Sequence, residues 1–264
     1  MSTGTLSPGR AKIPQPTLRT DRYWVAPLIT FVVFLAFIAY ATFRAFQNDY
    51  YYASPYISPF YSPCIASNCV PMPGAGEVHI IGPWWGLSPA LLILIVPLGF
   101  RMTCYYYRKA YYRAFWQSPT ACAVAEPHEK YTGETRFPLI FQNSHRYFFA
   151  LAAIFNVILT WDAILGFRDA SGAWGHMGFG TLMLLANAAL LWLYTASCHS
   201  CRHIMGGKLK HFSKHPVRYK AWQFVSKLNA RHMQLAWVSL FGVAFADLYV
   251  WLVAAGVFSD PRFF

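Results

Sequence analysis

Five apolar blocks, each about as long as a membrane-spanning helix, constrain the fold of this chain more than any other feature. A helix needs roughly 20 consecutive apolar residues to cross a hydrocarbon core. The blocks cover residues 24–46, 84–107, 147–167, 174–196 and 233–257. Only 12% of the residues are charged, whereas an average soluble domain has about 25%. The sequence therefore predicts an all-α integral membrane protein built as a bundle of five transmembrane helices.

The residues outside the blocks divide the chain into a leading segment, one membrane domain and a short end. We expect residues 1–23 to be a cytoplasmic tail, residues 24–257 to be the membrane domain and residues 258–264 to be an external tail. The leading segment is polar and basic and has no apolar core of signal-peptide length, so the first block is a retained span. Pro97 lies inside the second block and predicts a kink there.

Positive charge alternates between the connections in the way that five spans require. The leading segment carries Arg10, Lys12, Arg19 and Arg22. The second connection holds seven Lys or Arg residues and the fourth holds eight, whereas residues 47–83 hold none. Because Lys and Arg concentrate on the cytoplasmic side of membrane proteins, we expect the N-terminus inside and the C-terminus outside. The same rule accounts for the net charge of +12 and argues against a nucleic-acid-binding protein.

Two cysteines lie close together in the first connection, which the charge pattern places on the oxidising side. Cys64 and Cys69 are separated by four residues, and disulfides persist in oxidising compartments. We expect a small-loop disulfide between them, with two free thiols as the alternative.

A short amphipathic helix is predicted in the last cytoplasmic connection, in the stretch SKHPVRYKAWQFVSKLN. Pro216 suits a first helical turn, and an apolar stripe follows it at helical spacing. The stripe consists of Trp222, Phe224, Val225 and Leu228. Such a helix either lies on the membrane surface, which we favour, or docks a partner.

Cysteine and histidine residues from four blocks fall at the same cytoplasmic level of the membrane. Cys104 ends the second block, His145 precedes the third and His232 opens the fifth. The sequence CHSCRH, with Cys198 and Cys201, closes the fourth. Thiolate and imidazole ligands suit zinc, haem iron or an iron–sulfur cluster. The pattern predicts a metal centre. Taken alone, each histidine would also suit phosphate headgroups, and each cysteine would suit a small apolar position.

A second group of polar residues falls in the opposite half of the membrane. His176 begins the fourth block, and Asp162, Asn187 and Asp247 lie in the outer halves of their blocks. About 30 Å of helix separates His176 from CHSCRH at 1.5 Å per residue, so it cannot join that cluster. Ionisable groups inside a membrane suggest function. The group is interpreted either as a second polar site or as a hydrogen-bonded structural network.

The whole pattern resembles the single-chain, cytochrome b-like membrane anchor of succinate dehydrogenase and fumarate reductase, and more closely the large actinobacterial form. The likeness rests on five spans, an inside N-terminus and histidines on several helices, and it covers most of the chain from about residue 86 onward. It is carried by the segments RMTCYYYRKAYYRAFW, AVAEPHEKYTGETRFPLIFQNSHRYFF, ASCHSCRHIMGGKLKHFSKHPVRYKAW and NARHMQLAWVSLFGVAFADLYVW.

The resemblance implies a multi-pass subunit of respiratory complex II in the bacterial plasma membrane. A flavoprotein subunit would oxidise succinate, an iron–sulfur subunit would relay the electrons, and this chain would pass them to menaquinone or ubiquinone. The succinate site would therefore lie in another subunit.

The cofactor that the resemblance implies depends on the ligands present. Most single-chain anchors hold two b haems through four histidines, but here only His176 is a good ligand near the outer face. Two Cys on one iron and two His on the other is the ligand set of a Rieske-type [2Fe–2S] centre, which the actinobacterial branch implies. It would be held by the two histidines of the inner level and two of the three cysteines, with a single b haem between those histidines as the alternative. The candidate ligands are His145, His232, Cys104, Cys198 and Cys201.

The candidate quinone contacts near this level are Arg101, Tyr105 and Trp222. Arg and Tyr side chains can hydrogen-bond a quinone carbonyl, but at the end of a span they also serve as headgroup anchors.

Two other functional classes compete with the redox anchor. A small proton or ion transporter would use Asp162, Asp247 and His176 as its path, but the sequence shows neither internal repeats nor paired broken helices, which mark many transporters. A purely structural anchor would carry no cofactor of its own.

Overall fold

The computed structural model describes residues 19–70, 80–124, 135–137 and 139–264. Most of the predicted N-terminal tail, including Arg10 and Lys12, lies outside the described residues. The described chain is mostly helical with one small hairpin, so the predicted all-α class is confirmed.

The regular elements follow one another along the chain. The strands are β1 (Tyr52–Ala53) and β2 (Tyr56–Ile57), which pair antiparallel. The helices are α1 (Val25–Gln47), α2 (Ala90–Ile93), α3 (Ile95–Thr103), α4 (Tyr105–Tyr111), α5 (His145–Leu165), α6 (Phe179–Ala196), α7 (His199–Gly206), α8 (Pro216–Asn229) and α9 (His232–Ala254). Short turns at Tyr112–Trp116, Leu139–Ser144 and Phe212–Lys214 extend or precede these helices.

Four of the described helices are long and apolar enough to span a membrane: α1, α5 with its preceding turn, α6 and α9. The bent pair formed by α2–α3 and α4 supplies a fifth crossing if it is counted as one span. The bundle therefore has four or five spans. Helix α6 lies between α5 and α9 and packs against both.

The second predicted span is bent at Cys104. Helix α4 leaves α3 at an angle of 78°, and Cys104 between them is extended, with φ −65° and ψ 130°. Pro97 lies in the first turn of α3, where a helix tolerates its missing N–H, and the nearby residue Leu94 keeps a right-handed backbone. The main bend of the span predicted over residues 84–107 is therefore at Cys104, while near Pro97, where a kink was expected, the helix is interrupted at Leu94 between α2 and α3.

The fourth spanning helix begins later than predicted. Helix α6 starts at Phe179 rather than at residue 174, so His176 lies in the loop before the helix. Gly175 in this loop has a φ of +113°, a conformation that favours glycine because it has no Cβ. The loop turns there, which delays the start of the helix.

The C-terminal residues fold back onto this loop. Met177 N donates to Phe264 O (3.0 Å), and Phe263 N donates to Met177 O (2.9 Å). The predicted external tail is thus attached to the bundle through backbone hydrogen bonds.

The predicted amphipathic helix is present as α8. It packs against α7, where Arg218 Nη2 donates to the carbonyl oxygen of Ile204 (3.0 Å). Within the apolar stripe, Val225 is buried and Phe224 is 61% exposed. Helix α8 therefore covers the C-terminal end of α7 with part of its stripe and leaves the rest on the surface.

The two ends of the bundle differ in structure. At one end, which we call the cap end, residues 51–69 form a segment with the β1–β2 hairpin and several buried tyrosines. A disulfide joins Cys64 and Cys69 in this segment, with 5.9 Å between their Cα atoms. The opposite end carries Cys104 and Cys198, and we call it the Cys–His end.

The cap segment is packed tightly against α6 at Gly180. A Cβ added to Gly180 would lie 2.5 Å from a ring carbon of Tyr56. That ring is 1% exposed, and its hydroxyl is hydrogen-bonded to His176 and Asp260, so it cannot move aside. We expect Gly180→Ala to lower the free energy of unfolding by about 1–3 kcal/mol, measured as a lower Tm in detergent. Gly86→Ala is the matched control because a Cβ there meets no atom within 4 Å, and equal Tm values would contradict this close packing.

Candidate metal centre at the Cys–His end

Two helices stop just before an extended cysteine. Cys104 follows α3 with φ −65° and ψ 130°, and Cys198 follows α6, after Ser197, with φ −67° and ψ 148°. Each cysteine is the N-cap of the next short helix, so the chain turns at both positions. Both cysteine residues are 2% exposed. The two turns therefore bury a thiol from each helix inside the same end of the bundle.

Each buried thiol faces a histidine at the start of another spanning helix. Cys104 Sγ lies 3.3 Å from His232 Nε2, and Cys198 Sγ lies 3.0 Å from His145 Nε2. The histidines are the first residues of α5 and α9. The structure thus brings together four of the five candidate ligands from four different parts of the chain.

The second ring nitrogen of each histidine is held by a hydroxyl group. His145 Nδ1 lies 2.9 Å from Thr103 Oγ1, and His232 Nδ1 lies 2.7 Å from Ser197 Oγ. Both hydroxyls already donate their proton to a backbone carbonyl of the preceding turn, at 2.7 and 2.8 Å. Because a hydroxyl has one proton, each must accept from its histidine. The contacts therefore fix the Nδ1–H tautomer and leave the Nε2 lone pair facing the thiols, which is the form that binds a metal.

The same five-residue pattern surrounds both cysteines. An aromatic residue lies four positions before the cysteine and a hydroxyl residue directly before it, in FRMTC (residues 100–104) and YTASC (residues 194–198). The Phe100 ring stacks on His145 (5.1 Å between centroids, 6° between planes), and the Tyr194 ring stacks on His232 (5.2 Å, 10°). Each histidine is therefore held by the aromatic and hydroxyl groups of one pattern and faces the cysteine of the other.

These supporting residues were not predicted from the sequence. They are Phe100, Thr103, Tyr194 and Ser197. The repeated spacing of aromatic, hydroxyl and cysteine residues at the ends of two apolar blocks was the signal that could have found them.

Tyr194 has an unusual hydroxyl group. It is fully buried, has no hydrogen-bond partner among the described residues and lies beside the Cys104 thiol. Unpaired buried hydroxyls are rare in folded proteins. The Tyr194 hydroxyl is therefore an unused donor beside the Cys104 thiol.

The fifth candidate ligand lies apart from this group. Cys201 is buried in α7, and the contacts of the described residues do not link it to either histidine. Across the described ranges, no three His, Cys, Asp or Glu side chains are placed to hold one metal ion. The group consists of two Cys–His pairs, Cys104 with His232 and Cys198 with His145.

The three candidate quinone contacts have separate surroundings. Arg101 donates to Tyr107 Oη (2.6 Å) and to Ser239 Oγ of α9 (3.2 Å). Tyr105 is 59% exposed on the surface of the bundle. Trp222 lies on α8, which packs against α7. The structure does not join the three side chains in one site.

The polar residues that the sequence places in the outer half of the membrane lie at separate positions of the cap end. Asp162, Asp247 and His176 each bind a different residue of the cap segment, while Asn187 Oδ1 has no partner among the described residues. The pairs are Tyr56 with His176, Ser58 with Asp247 and Ser62 with Asp162. These side chains therefore fix the cap to the bundle at three places and do not form one joint site.

Tyr56 connects the cap to the C-terminal residues. Burial raises the pKa of Tyr56 to about 12, so its hydroxyl keeps its proton and donates to Asp260 Oδ2 (2.7 Å). On the other side of the network, Arg262 Nε donates to His176 Nδ1 (3.0 Å). The C-terminal tail is thus held by side chains as well as by backbone hydrogen bonds.

The role of Arg44 was also not predicted from the sequence. Its side chain is fully buried, and its Nε donates to Asp247 Oδ2 (2.8 Å). The guanidinium also lies over the rings of Tyr51 (4.4 Å) and Trp251 (5.1 Å). An arginine near the end of an apolar block is usually interpreted as an interface residue. The signal for its real role was the lone acid of the fifth block, which needs a partner inside a membrane.

Comparison with known families matches residues 25–256 to the family described as actinobacterial succinate dehydrogenase subunit SdhC. The chain belongs to this family. It is also 54% identical to a chain of the solved structure "Mycobacterium smegmatis Sdh1 complex in the apo form", with 100% of both chains covered and a TM-score of 0.86. No curated protein matches the chain.

Family membership confirms the resemblance. The chain is a membrane-anchor subunit of a bacterial succinate dehydrogenase, an oxidoreductase, and it crosses the plasma membrane several times.

Proposed function

We propose that this chain passes electrons from an iron–sulfur partner subunit to a quinone through a metal centre at the Cys–His end. The iron–sulfur subunit would receive its electrons from a flavoprotein subunit that oxidises succinate, so this chain needs no succinate site. One observation carries the proposal: two buried thiols face the Nε2 lone pairs of two histidines, and both groups are metal ligands.

The residues present fit a Rieske-type [2Fe–2S] cluster. Cys104 and Cys198 would bind one iron, and His145 and His232 would bind the other, which is the ligand set of this centre. The hydroxyls that hold both Nδ1 atoms correspond to the outer-shell partners that orient metal-binding histidines. When bound, such a cluster supplies one-electron transfer, with a potential raised toward that of a quinone by its imidazole ligands.

A single b haem between His145 and His232 is the second candidate for this centre. The two histidines favour it, but a haem would leave Cys104 and Cys198 buried without a role. We therefore favour the cluster.

The basic surface at the Cys–His end is the proposed docking site for the iron–sulfur subunit. The connection from Arg202 to Arg231 contains no Asp or Glu, and five of its lysines are exposed. They are Lys208, Lys210, Lys214, Lys220 and Lys227. Charge complementarity of this kind steers and orients association. The basic connection also supports a cytoplasmic N-terminus and an external C-terminus, because basic connections concentrate on the cytoplasmic side.

The quinone would bind near Arg101 and Tyr105, at the same end as the centre. The Arg101 guanidinium lies over the Tyr194 ring (4.7 Å), and that ring stacks on His232. A quinone at Arg101 would thus be separated from the centre by one side chain.

The iron and sulfide content of the complex tests the ligand assignment. We expect Cys104→Ser and Cys198→Ser each to remove about two iron atoms and two acid-labile sulfides per anchor chain, because the cluster loses a thiolate ligand. Cys201→Ser is the matched control, since this cysteine lies in the same CHSCRH stretch but outside the group. Wild-type iron and sulfide in all three variants would contradict the cluster, and loss in Cys201→Ser alone would contradict the choice of cysteines.

A further inference from the structure

A cavity of about 350 Å³ lies inside the bundle, between α1 and the helices α3, α5 and α6. Its walls are almost entirely apolar, and they extend from the cap end toward the centre. Phe46, Pro59 and Phe60 line it at the cap end, and Phe100 and Tyr194 line it at the other. At this second end the lining also includes Arg101, near which we propose that the quinone binds.

Helix α1 forms one side of this cavity and is attached to the rest of the bundle on either side of it. Near the Cys–His end, Phe34 packs against Trp237 (4.8 Å between ring centroids). Near the cap end, Arg44 is paired with Asp247. Between these two anchors Phe37 and Ala41 line the cavity, while Tyr40 donates to Asp247 of α9. The cavity therefore results from the way in which α1 is attached to the bundle.

The cavity is open to the surface of the bundle between α1 and α3. Ile38 of α1 and Leu98 of α3 both line it, and they are 51% and 56% exposed. Along α3 the lining continues from Ile95 to Arg101, a rise of about 9 Å at 1.5 Å per residue. A chain-shaped apolar group can thus enter from the surrounding bilayer and lie along the helices.

Most of the polar groups in the lining are already hydrogen-bonded. Asn156 Nδ2 donates to Thr195 Oγ1 (2.9 Å), and Arg101 donates to side chains of α4 and α9. The Tyr194 hydroxyl lies beside Cys104 at the metal centre. The hydroxyls of Thr42 and Tyr194 also line the cavity, but a quinone ring or a headgroup would find few donors here, whereas an apolar chain requires none.

We propose that this cavity binds one acyl chain of a phospholipid from the leaflet at the cap end. An apolar void of this size leaves its lining without contact atoms, and an acyl chain supplies them. The phospholipid headgroup stays in its leaflet, since the lining reaches Phe46 and Pro59 at that end. The bound chain holds α1 at a fixed distance from α3 and α5. This inference does not depend on the identity of the metal centre.

The test uses the intact detergent-purified complex and variants that fill the cavity. Ala41→Phe places a ring in the lining from α1, and Val243→Phe does so from α9. Ala39→Phe is the matched control, because Ala39 lies on the exposed side of α1. After extensive delipidation, phospholipid and quinone per chain are measured by mass spectrometry. Tm is then measured with and without added dioleoyl phosphatidylglycerol.

We expect the wild type and Ala39→Phe to retain about one more phospholipid per chain than Ala41→Phe and Val243→Phe. We also expect added phospholipid to raise the Tm of the wild type and of Ala39→Phe, because a ligand that binds the folded state stabilises it. The Tm of Ala41→Phe and Val243→Phe should stay unchanged. Equal phospholipid retention and equal Tm shifts in all variants would overturn the proposal. Retention of quinone instead of phospholipid, lost in the filled variants, would also overturn it. If Ala41→Phe does not assemble, the Val243→Phe result decides.

Discussion

Replacement of His145 or His232 by Ala is expected to lower succinate-dependent quinone reduction by the complex at least about 100-fold. Loss of a residue that only orients a metal ligand already lowers metal affinity or activity by roughly 10–100-fold, and these variants lose the ligand itself. Each histidine presents its Nε2 lone pair at the centre, and alanine removes both that ligand and its link to a hydroxyl. Reduction of a soluble dye by succinate is expected to stay unchanged, since it draws electrons from the partner subunits. The two activities are measured on the same preparations.

His203→Ala is the matched control for these variants. His203 lies at the same end of the bundle but is exposed on α7, away from the paired thiols. We expect it to keep wild-type quinone reduction. Full quinone reduction in both His145→Ala and His232→Ala would show that electrons reach the quinone without this centre, as in a purely structural anchor.

Replacement of Asp247 by Ala is expected to destabilise the protein by about 3–5 kcal/mol, because it leaves the Arg44 charge buried without its partner. Arg44 and Asp247 are both fully buried, and two guanidinium nitrogens reach the carboxylate, at 2.8 and 3.1 Å. Tyr40 and Ser58 also donate to Asp247 and lose their acceptor in this variant. The change is measured as the free energy of unfolding in detergent.

The double variant Arg44→Met with Asp247→Leu separates the charge effect from packing. Replacing a buried ion pair by apolar residues of similar size is often neutral or stabilising, so we expect the double variant to recover most of the lost stability. If it is as unstable as Asp247→Ala, the loss comes from the hydrogen bonds to the cap and not from the unpaired arginine. The same stability for Asp247→Ala and wild type would contradict a structural role for the pair.

The sequence predicted the spanning helices well where length and apolarity alone decide. Helices α1, α5 and α9 lie within a few residues of their predicted positions, because a helix is the only way for a single segment to satisfy its backbone inside a bilayer. The bend at Cys104 was not predicted. No Gly or Pro marks it, and its extended backbone accompanies the contact with His232, which lies 128 residues away.

The candidate site was predictable in its ligand-type residues and not in its supporting residues. Depth in the membrane was enough to group Cys104, Cys198, His145 and His232, because each lies at the end of an apolar block. The choice between Cys198 and Cys201 was left open, since both lie in CHSCRH and only the turn at Cys198 distinguishes them. The hydroxyl partners were missed because Ser and Thr are ordinary in helices, so their role appears only in three dimensions.

The residue pairs at the cap end could not be predicted either, because their members lie far apart in the sequence. Arg44 and Asp247 are 203 residues apart, and the bonds from the cap segment to the spans also join distant parts of the chain. Composition and hydropathy contain no information on such pairings. They follow only from how the helices and the cap pack together.

Low-temperature electron paramagnetic resonance of the dithionite-reduced complex tests the central claim most directly. We expect a signal from a [2Fe–2S] cluster with mixed Cys and His ligands, in addition to those of the iron–sulfur subunit, which is lost in His232→Ala and retained in His203→Ala. Spectra containing only the signals of the partner subunit, or a haem signal in the oxidised complex that His232→Ala removes, would contradict it.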